Sequence, residues 1–266
     1  MFWLYEEELP PGVGSERFCA MHLVYIAFFL ALAVCCALFF RNSDERRRRT
    51  AERVLGSLAL FFGLCEYGVT ALLGHFSRYS LPLHVCSLMF LFAPLHAWTD
   101  GARPGSFAAR LHSFLGAVLF HPGFLGALAA LLFPDWLYYP FWNYVSLSSF
   151  LAHGFVLVYG ASVLVRIAEA PEGRALFRRD LKSSLLFLLI GASVMFFFDR
   201  ATGTDYWFMA WPGNDSPFLG VWRRGGCGAY LAAFALTALA VTALWYALRF
   251  VLFVRAGKQA ERGDSN

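Results

Sequence analysis

Phe18-Cys19-Ala20-Met21-His22-Leu23-Val24-Tyr25-Ile26-Ala27-Phe28-Phe29-Leu30-Ala31-Leu32-Ala33-Val34-Cys35-Cys36-Ala37-Leu38-Phe39-Phe40 carries no charged residue, and Arg41 and the run Arg46-Arg47-Arg48-Arg49 follow it. An apolar run of this length matches the ~20 residues that a helix needs to cross about 30 Å of hydrocarbon. The arginines at one end mark the side that stays in the cytoplasm. Read outward from here, the rest of the chain repeats the pattern. Apolar spans fall at about 18–40, 54–74, 82–98, 111–133, 142–167, 182–199 and 227–253. The expectation is therefore an all-α, polytopic membrane bundle of about seven transmembrane helices. Residues 1–17 would form an outer segment, residues 18–254 the bundle, and residues 255–266 a cytoplasmic tail.

Composition points the same way. The chain is 59% hydrophobic and 15% charged, where soluble proteins run at roughly 45–50% and about 25%. Its 29 Phe, 11 Tyr and 8 Trp suit lipid-facing surfaces and interfacial belts. The net charge of +4 does not indicate nucleic acid, because the basic residues sit in short loops and form no aromatic-interleaved patch. The six cysteines stand singly or as the pair Cys35-Cys36, without CxxC or zinc spacing, so neither a disulfide framework nor a structural metal is expected. Glu6, Glu7 and Glu8 before the first span are the wrong charge for a cleaved signal peptide, so this span should stay.

All 22 Lys and Arg sort by loop. One side collects Arg41, Arg46, Arg47, Arg48, Arg49, Arg53, Arg103, Arg110, Arg166, Arg174, Arg178, Arg179, Lys182, Arg249, Arg255, Lys258 and Arg262. The other has only Arg17, Arg78, Arg200, Arg223 and Arg224. The alternation has no exception, which places the N-terminus outside and the C-terminus in the cytoplasm. His121-Pro122-Gly123 interrupts the fourth span and suggests a kink, leaving six full spans and a broken one as the competing count. Trp136, Tyr138, Tyr139, Phe141 and Trp142 read as an interfacial belt, and 200–226 as either a lid or a folded surface loop.

Polar residues inside such spans are costly, and so they draw attention. Leu81-Pro82-Leu83-His84-Val85-Cys86 puts an imidazole and a thiol at the outer mouth of the third span. With Ser80 as cap and Pro82 in the first turn, Cys86 would lie about one and a half turns in, roughly 6–7 Å down. The helix dipole fades over that distance, so a thiol there needs a base. His84 is two residues away and does not face Cys86 on a helix. His153 is the better partner, although it lies roughly 16 Å below the outer end of its span. Glu66, at roughly 12 Å, would orient the imidazole and complete a Cys–His–Glu arrangement, or else bond a neighbouring helix. Cys35, Cys36 and Cys65 read as small hydrophobes. His22, His75, His96, His112 and His121 read as interfacial or helix-bridging. A metal held by His84, Cys86 and His153 lacks paired-ligand spacing, and no cofactor is implied.

Ser80-Leu81-Pro82-Leu83-His84-Val85-Cys86 resembles the LPLHLC signature of the YwaF-like integral membrane family, which includes the animal transmembrane protein 164 acyltransferases. Phe18-Cys19-Ala20-Met21-His22 is similar to its early F-S-x-x-H, and Leu131-Leu132-Phe133-Pro134-Asp135 to its LLTPD. Phe150-Leu151-Ala152-His153-Gly154 is similar to its FLSHG, and Asp205-Tyr206-Trp207-Phe208-Met209 to its N-Y-M-F-L. The resemblance implies a transferase that moves a fatty acyl chain between phospholipids through a cysteine thioester, with Cys86 as nucleophile and His153 as base. Ala152 stands for the family's Ser, Asp205 for its Asn, and Gly220-Val221-Trp222-Arg223-Arg224 replaces its GPWPWY. Asp205 joins Glu66 and His84 as a supporting candidate.

Cys86 and His153 fall in the outer half, away from cytoplasmic acyl-CoA, which favours a resident phospholipid as acyl donor and a lysophospholipid as acceptor. Backbone N–H groups near Cys86 or the His84 side chain are candidate oxyanion donors. Two alternatives stay open: a lipid hydrolase with water as acceptor, and a non-catalytic small transporter or sensor. Head group, acyl preference, membrane and oligomeric state are not written in the sequence.

Overall fold

The computed structural model describes residues 1–169, 174–213 and 216–251. The described residues are helical, with no strand among them. They fall into two compact units, Met1–Arg166 and Ile167 onward. The first holds α1 (Ala20–Arg41), α2 (Glu45–Leu72), α3 (Val85–Thr99), α4 (Phe107–Leu132) and most of α5 (Tyr144–Glu169). The second holds α6 (Arg174–Thr202) and α7 (Leu219–Arg249).

Six of these helices are long and apolar enough to cross a membrane, and α3, at 15 residues, is the shorter apolar one. The chain is therefore polytopic, as its composition requires. Leu23, Val24, Phe28, Leu30, Val34 and Leu38 of α1 are exposed, while His22, Ser146, Ser149 and His153 are buried. That is the reverse of a helix bundle in water and suits one surrounded by lipid. Several helices run past the apolar spans read from sequence. α2 begins at Glu45, capped by the Asp44 carboxylate, which accepts the Arg47 N–H at 2.9 Å. Its arginines therefore stand on the first turns of a helix, not in a loop. The tail 255–266 and the end of the seventh span lie outside the described residues.

The weak span is the third, not the fourth. His121-Pro122-Gly123 does not break α4, because Leu119–Gly123 forms a π turn inside a continuous Phe107–Leu132 helix. Proline has no N–H and crowds the carbonyl four residues back, and a wider turn accommodates both faults. α3, by contrast, starts only at Val85, after the extended residues Leu81 and His84. Fifteen residues span about 22 Å, less than the hydrocarbon core. The residues before Val85 must therefore descend into the bundle before the helix begins.

The packing of α3 against α2 sets its depth. A Cβ on Gly56 would come within 2.9 Å of the Pro94 backbone N, and one on Gly63 within 2.5 Å of the Phe90 ring. Tyr67 donates its hydroxyl to Ser87 Oγ at 2.9 Å. These contacts pair 56 with 94, 63 with 90 and 67 with 87, an antiparallel register. Ser87 therefore lies at the level of Tyr67, about 8 Å short of the end of α2.

At the far end of the unit, Glu52 is 1% exposed and takes Arg166 Nε at 2.6 Å and Nη2 at 2.8 Å. Asp100, just after α3, holds Arg49 at 3.0 Å and Arg166 at 3.3 Å. Three chain regions assigned to the arginine-rich side thus meet at one end. At the opposite end, the N-terminal segment folds over the 133–143 loop: Asn143 donates to the carbonyls of Met1 and Leu4, and Ser15 donates to Leu137 and Tyr139. This covering buries Trp136, Tyr139 and Phe141 at 7%, 1% and 9% exposure. Of the aromatics read as an interfacial belt, only Tyr138 and Trp142 are exposed.

Candidate functional site

The late start of α3 changes the position of Cys86. His84 is the N-cap residue, so Cys86 is the second residue of the helix and Ser87 the third. The expected one and a half turns of helix above it are irregular, non-helical chain instead. Cys86 therefore sits in the first turn, where unpaired backbone N–H groups and the helix dipole favour an anion. Ser87, the next residue, accepts the Tyr67 hydroxyl on its Oγ, which leaves its own O–H able to turn to a thiolate.

His153 sits on α5 with its imidazole 5% exposed, between Trp136, stacked at 4.9 Å, and Phe90, edge-on at 5.1 Å. Its Nδ1 is 2.7 Å from the Ser149 carbonyl oxygen. A carbonyl only accepts, so Nδ1 carries the proton, and in the neutral ring Nε2 carries the lone pair. Nε2 is buried and has no hydrogen-bond partner. The close helix contact beside it is made by Gly154, where any Cβ would overlap the Phe29 ring of α1.

Glu66 belongs to this cluster but does not touch the imidazole. Its carboxylate accepts the Ser149 hydroxyl at 2.5 Å, and the Ser149 backbone holds His153. Of the two roles open to Glu66 from sequence, the structure shows the bond to a neighbouring helix and no direct Cys–His–Glu contact; its link to the imidazole runs through Ser149. Thr70 donates to the Glu66 carbonyl and shares a hydrogen bond with the Tyr144 hydroxyl. Ser149 lies level with Glu66, and Ser87 with its neighbour Tyr67. His153 is one turn beyond Ser149, beside Phe90, which is one turn beyond Cys86. The roughly 10 Å mismatch in depth expected from the spans shrinks to about one turn, near 5 Å.

His84 is extended and close enough to His153 for the two rings to interact electrostatically. Asp135 is an electrostatic neighbour of Glu66, Cys86 and His153 together. Sequence reasoning passed over Asp135, Trp136, Ser149, Tyr67 and Ser87. A signal existed for two of them: Asp135 closes the Leu131–Asp135 stretch, and Ser149 precedes His153 by one helical turn.

Asp205 lies in the second unit, where Oδ1 accepts the Ala210 N–H at 3.0 Å and the Trp211 N–H at 3.4 Å. Burial, reinforced by the charge of Asp199, raises its pKa above the usual carboxylate value, against the opposing pull of those N–H groups. Nearby, buried Asp199 takes the Thr204 hydroxyl and the Tyr206 N–H, and Tyr230 donates to the Phe208 carbonyl. The described part of the 200–226 segment is thus internally bonded.

A model of the TMEM164 family matches residues 17–246. The chain belongs to the TMEM164 family. The match covers both units and every candidate residue named from sequence. Searches of curated proteins and of solved structures returned no match. Among the described residues of this TMEM164-family protein, no group of three or more His, Cys, Asp or Glu is placed to hold a metal ion. The chemistry within reach is that of a thiol at a helix N-terminus and an imidazole with a bare Nε2. The family and the apolar helices make the chain an integral, multi-pass membrane protein.

Proposed function

We propose that this protein is a phospholipid acyltransferase that carries the acyl chain on Cys86 and uses His153 as its base. The observation that carries the reading is the bare Nε2 of His153, its tautomer set by Ser149, about one helical turn from a first-turn cysteine that shares its electrostatic neighbour Asp135. A nucleophile needs such a base and a means of stabilising its anion. In the first half-reaction, Nε2 takes the Cys86 proton, sulfur bonds to the ester carbonyl carbon, and the carbon–oxygen bond to the glycerol breaks. His153 returns the proton to the departing lysolipid oxygen. In the second, the hydroxyl of another lysolipid gives its proton to Nε2 and attacks the thioester. The carbon–sulfur bond breaks, and His153 reprotonates the thiolate.

The location supports a phospholipid donor. Cys86 lies in the first turn of α3, and the Arg49–Asp100–Arg166 cluster lies at its other end, about 20 Å away. With the arginine-rich end facing the cytoplasm, the thiol is remote from acyl-CoA.

The test uses the full chain in nanodiscs with an isotope-labelled phospholipid. Mass spectrometry should find the labelled acyl group on the Cys86 peptide, and added lysophospholipid should discharge it into new phospholipid. Discharge to free fatty acid alone makes the protein a hydrolase. Folded Cys86→Ala and His153→Ala variants that still transfer at the parent rate sink the reading.

A further inference from the structure

Against Phe90, one helical turn from Cys86, two buried polar atoms lack a hydrogen-bond partner: the indole Nε1–H of Trp136 and Nε2 of His153. The residues are 7% and 5% exposed. Their rings stack with centroids 4.9 Å apart and planes 25° from parallel. The indole N–H points along its own ring plane, and the imidazole lone pair lies in its own. Stacked rings therefore cannot satisfy each other edge to edge. One is a pure donor and the other, in the tautomer set by Ser149, a pure acceptor. Buried groups of this kind in a native protein call for a third party.

A ligand that fits must offer an acceptor to Trp136 and a donor to His153. Acyl transfer brings those two functions together: the carbonyl oxygen of an ester or thioester, and the hydroxyl or thiol that loses its proton. A phosphate fits less well. The surroundings of the stack are the aromatic rings of Phe90 and Phe150 and the negative charge of Asp135. A single neutral N–H among aromatic rings suits an uncharged carbonyl whose oxygen becomes negative only as the bond forms.

We infer that the Trp136 indole N–H binds the acyl carbonyl oxygen and stabilises the oxyanion formed when Cys86 attacks it. This rests on the acyl-transfer reading above. The N–H donates a hydrogen bond and transfers no proton, so the two half-reactions balance as already written. It adds a side-chain donor from the 133–143 loop to the backbone N–H groups of the first turn of α3. It also assigns the Trp136 ring a role in chemistry instead of in an interfacial belt.

The test replaces the N–H and keeps the ring. Trp136→Phe retains an aromatic stack, and benzothienylalanine introduced at position 136 is isosteric with sulfur in place of N–H. In nanodiscs with labelled phospholipid, both should lower kcat by about 10²–10³-fold, the usual loss for an oxyanion donor, with KM changed less than about threefold. A merely structural tryptophan would leave the benzothienyl protein at the parent rate, and that result overturns the inference.

A binding arm separates the two readings. With Cys86→Ala to prevent turnover, native mass spectrometry should find a diester phospholipid retained in preference to its diether analogue, which lacks carbonyls. Adding the benzothienyl residue should abolish that preference; its survival also overturns the inference. If Cys86→Ala leaves transfer untouched, the acyltransferase reading falls, while the ester-over-ether comparison still decides whether Trp136 binds a carbonyl.

Discussion

The carbonyl oxygen of Ser149 accepts the Nδ1 proton of His153 at 2.7 Å, so a backbone atom sets the tautomer of the imidazole. The Ser149 side chain is engaged elsewhere, with Glu66. Orientation of the ring is therefore independent of any direct contact with the carboxylate, to which it is linked only through Ser149.

That independence predicts how Glu66 behaves. Glu66→Gln should keep transfer activity within about tenfold of the parent, whereas removing the carboxylate of a true triad costs about 10⁴ in kcat. Ser149→Ala should lower stability by about 1 kcal/mol by leaving the half-buried Glu66 carboxyl without its hydrogen bond. Comparing kcat with thermal unfolding in detergent separates the two effects. A 10⁴-fold loss in a folded Glu66→Gln protein would restore the direct relay.

Ser87 adjoins Cys86 in the first turn of α3, and because Tyr67 donates to its oxygen, its own O–H can turn to a Cys86 thiolate. A hydrogen bond to a charged group contributes about 1.5–3 kcal/mol, so losing one should slow alkylation of Cys86 by roughly tenfold or more. Iodoacetamide kinetics on Ser87→Ala, followed on the Cys86 peptide, measure this. An unchanged rate would show that the backbone N–H groups suffice.

Gly154 follows His153 because α1 passes too close for a side chain, with Phe29 against its Cα. Gly154→Ala should lower stability by about 1–3 kcal/mol through overpacking, and Phe29→Leu in the same protein should recover part of it. Unfolding temperatures of the single and double variants provide the check. Additive losses would place the strain elsewhere.

At the arginine-rich end, the buried Glu52 carboxylate pairs with the half-buried Arg166. Removing one partner leaves an uncompensated charge, so Arg166→Met should cost about 3–5 kcal/mol. Adding Glu52→Gln to that variant should restore much of the loss. The double-mutant cycle on detergent unfolding gives the coupling, and a coupling near zero contradicts the pairing.

Asp205 gives a pH dependence of known sign. Burial raises its folded-state pKa above the unfolded value. Its contribution is full below the unfolded pKa and is lost as pH rises through the folded one. Asp205→Asn keeps the Oδ1 acceptor for Ala210 and matches the residue in the resembling family's motif. The variant should be more stable than the parent at pH 7, and the two should converge near pH 4. A constant difference across that range would remove the titration from the explanation.

Much of this protein is written in local composition. Residues 18–40, with no charge and arginines behind them, require a spanning helix wherever the rest of the chain goes, because the backbone must satisfy itself in hydrocarbon. The short motifs around Cys86 and His153 marked the residues and the family, since imidazole and thiol are conspicuous against leucine and phenylalanine. Relative depth was not legible. Counting residues from span ends assumes that helix begins where apolarity begins, and Leu81–Leu83 is apolar yet not helical.

The sequence by itself thus determined the membrane class, the helices and the polar residues worth explaining, because each depends on hydropathy or residue type along one segment. Tertiary structure alone decided that Cys86 stands in a first turn and that Glu66 reaches His153 only through Ser149. It also decided that Trp136 faces the imidazole instead of an interface. Those facts depend on the register between helices, which close contacts such as Gly63 on Phe90 and Tyr67 on Ser87 set between residues far apart in the chain.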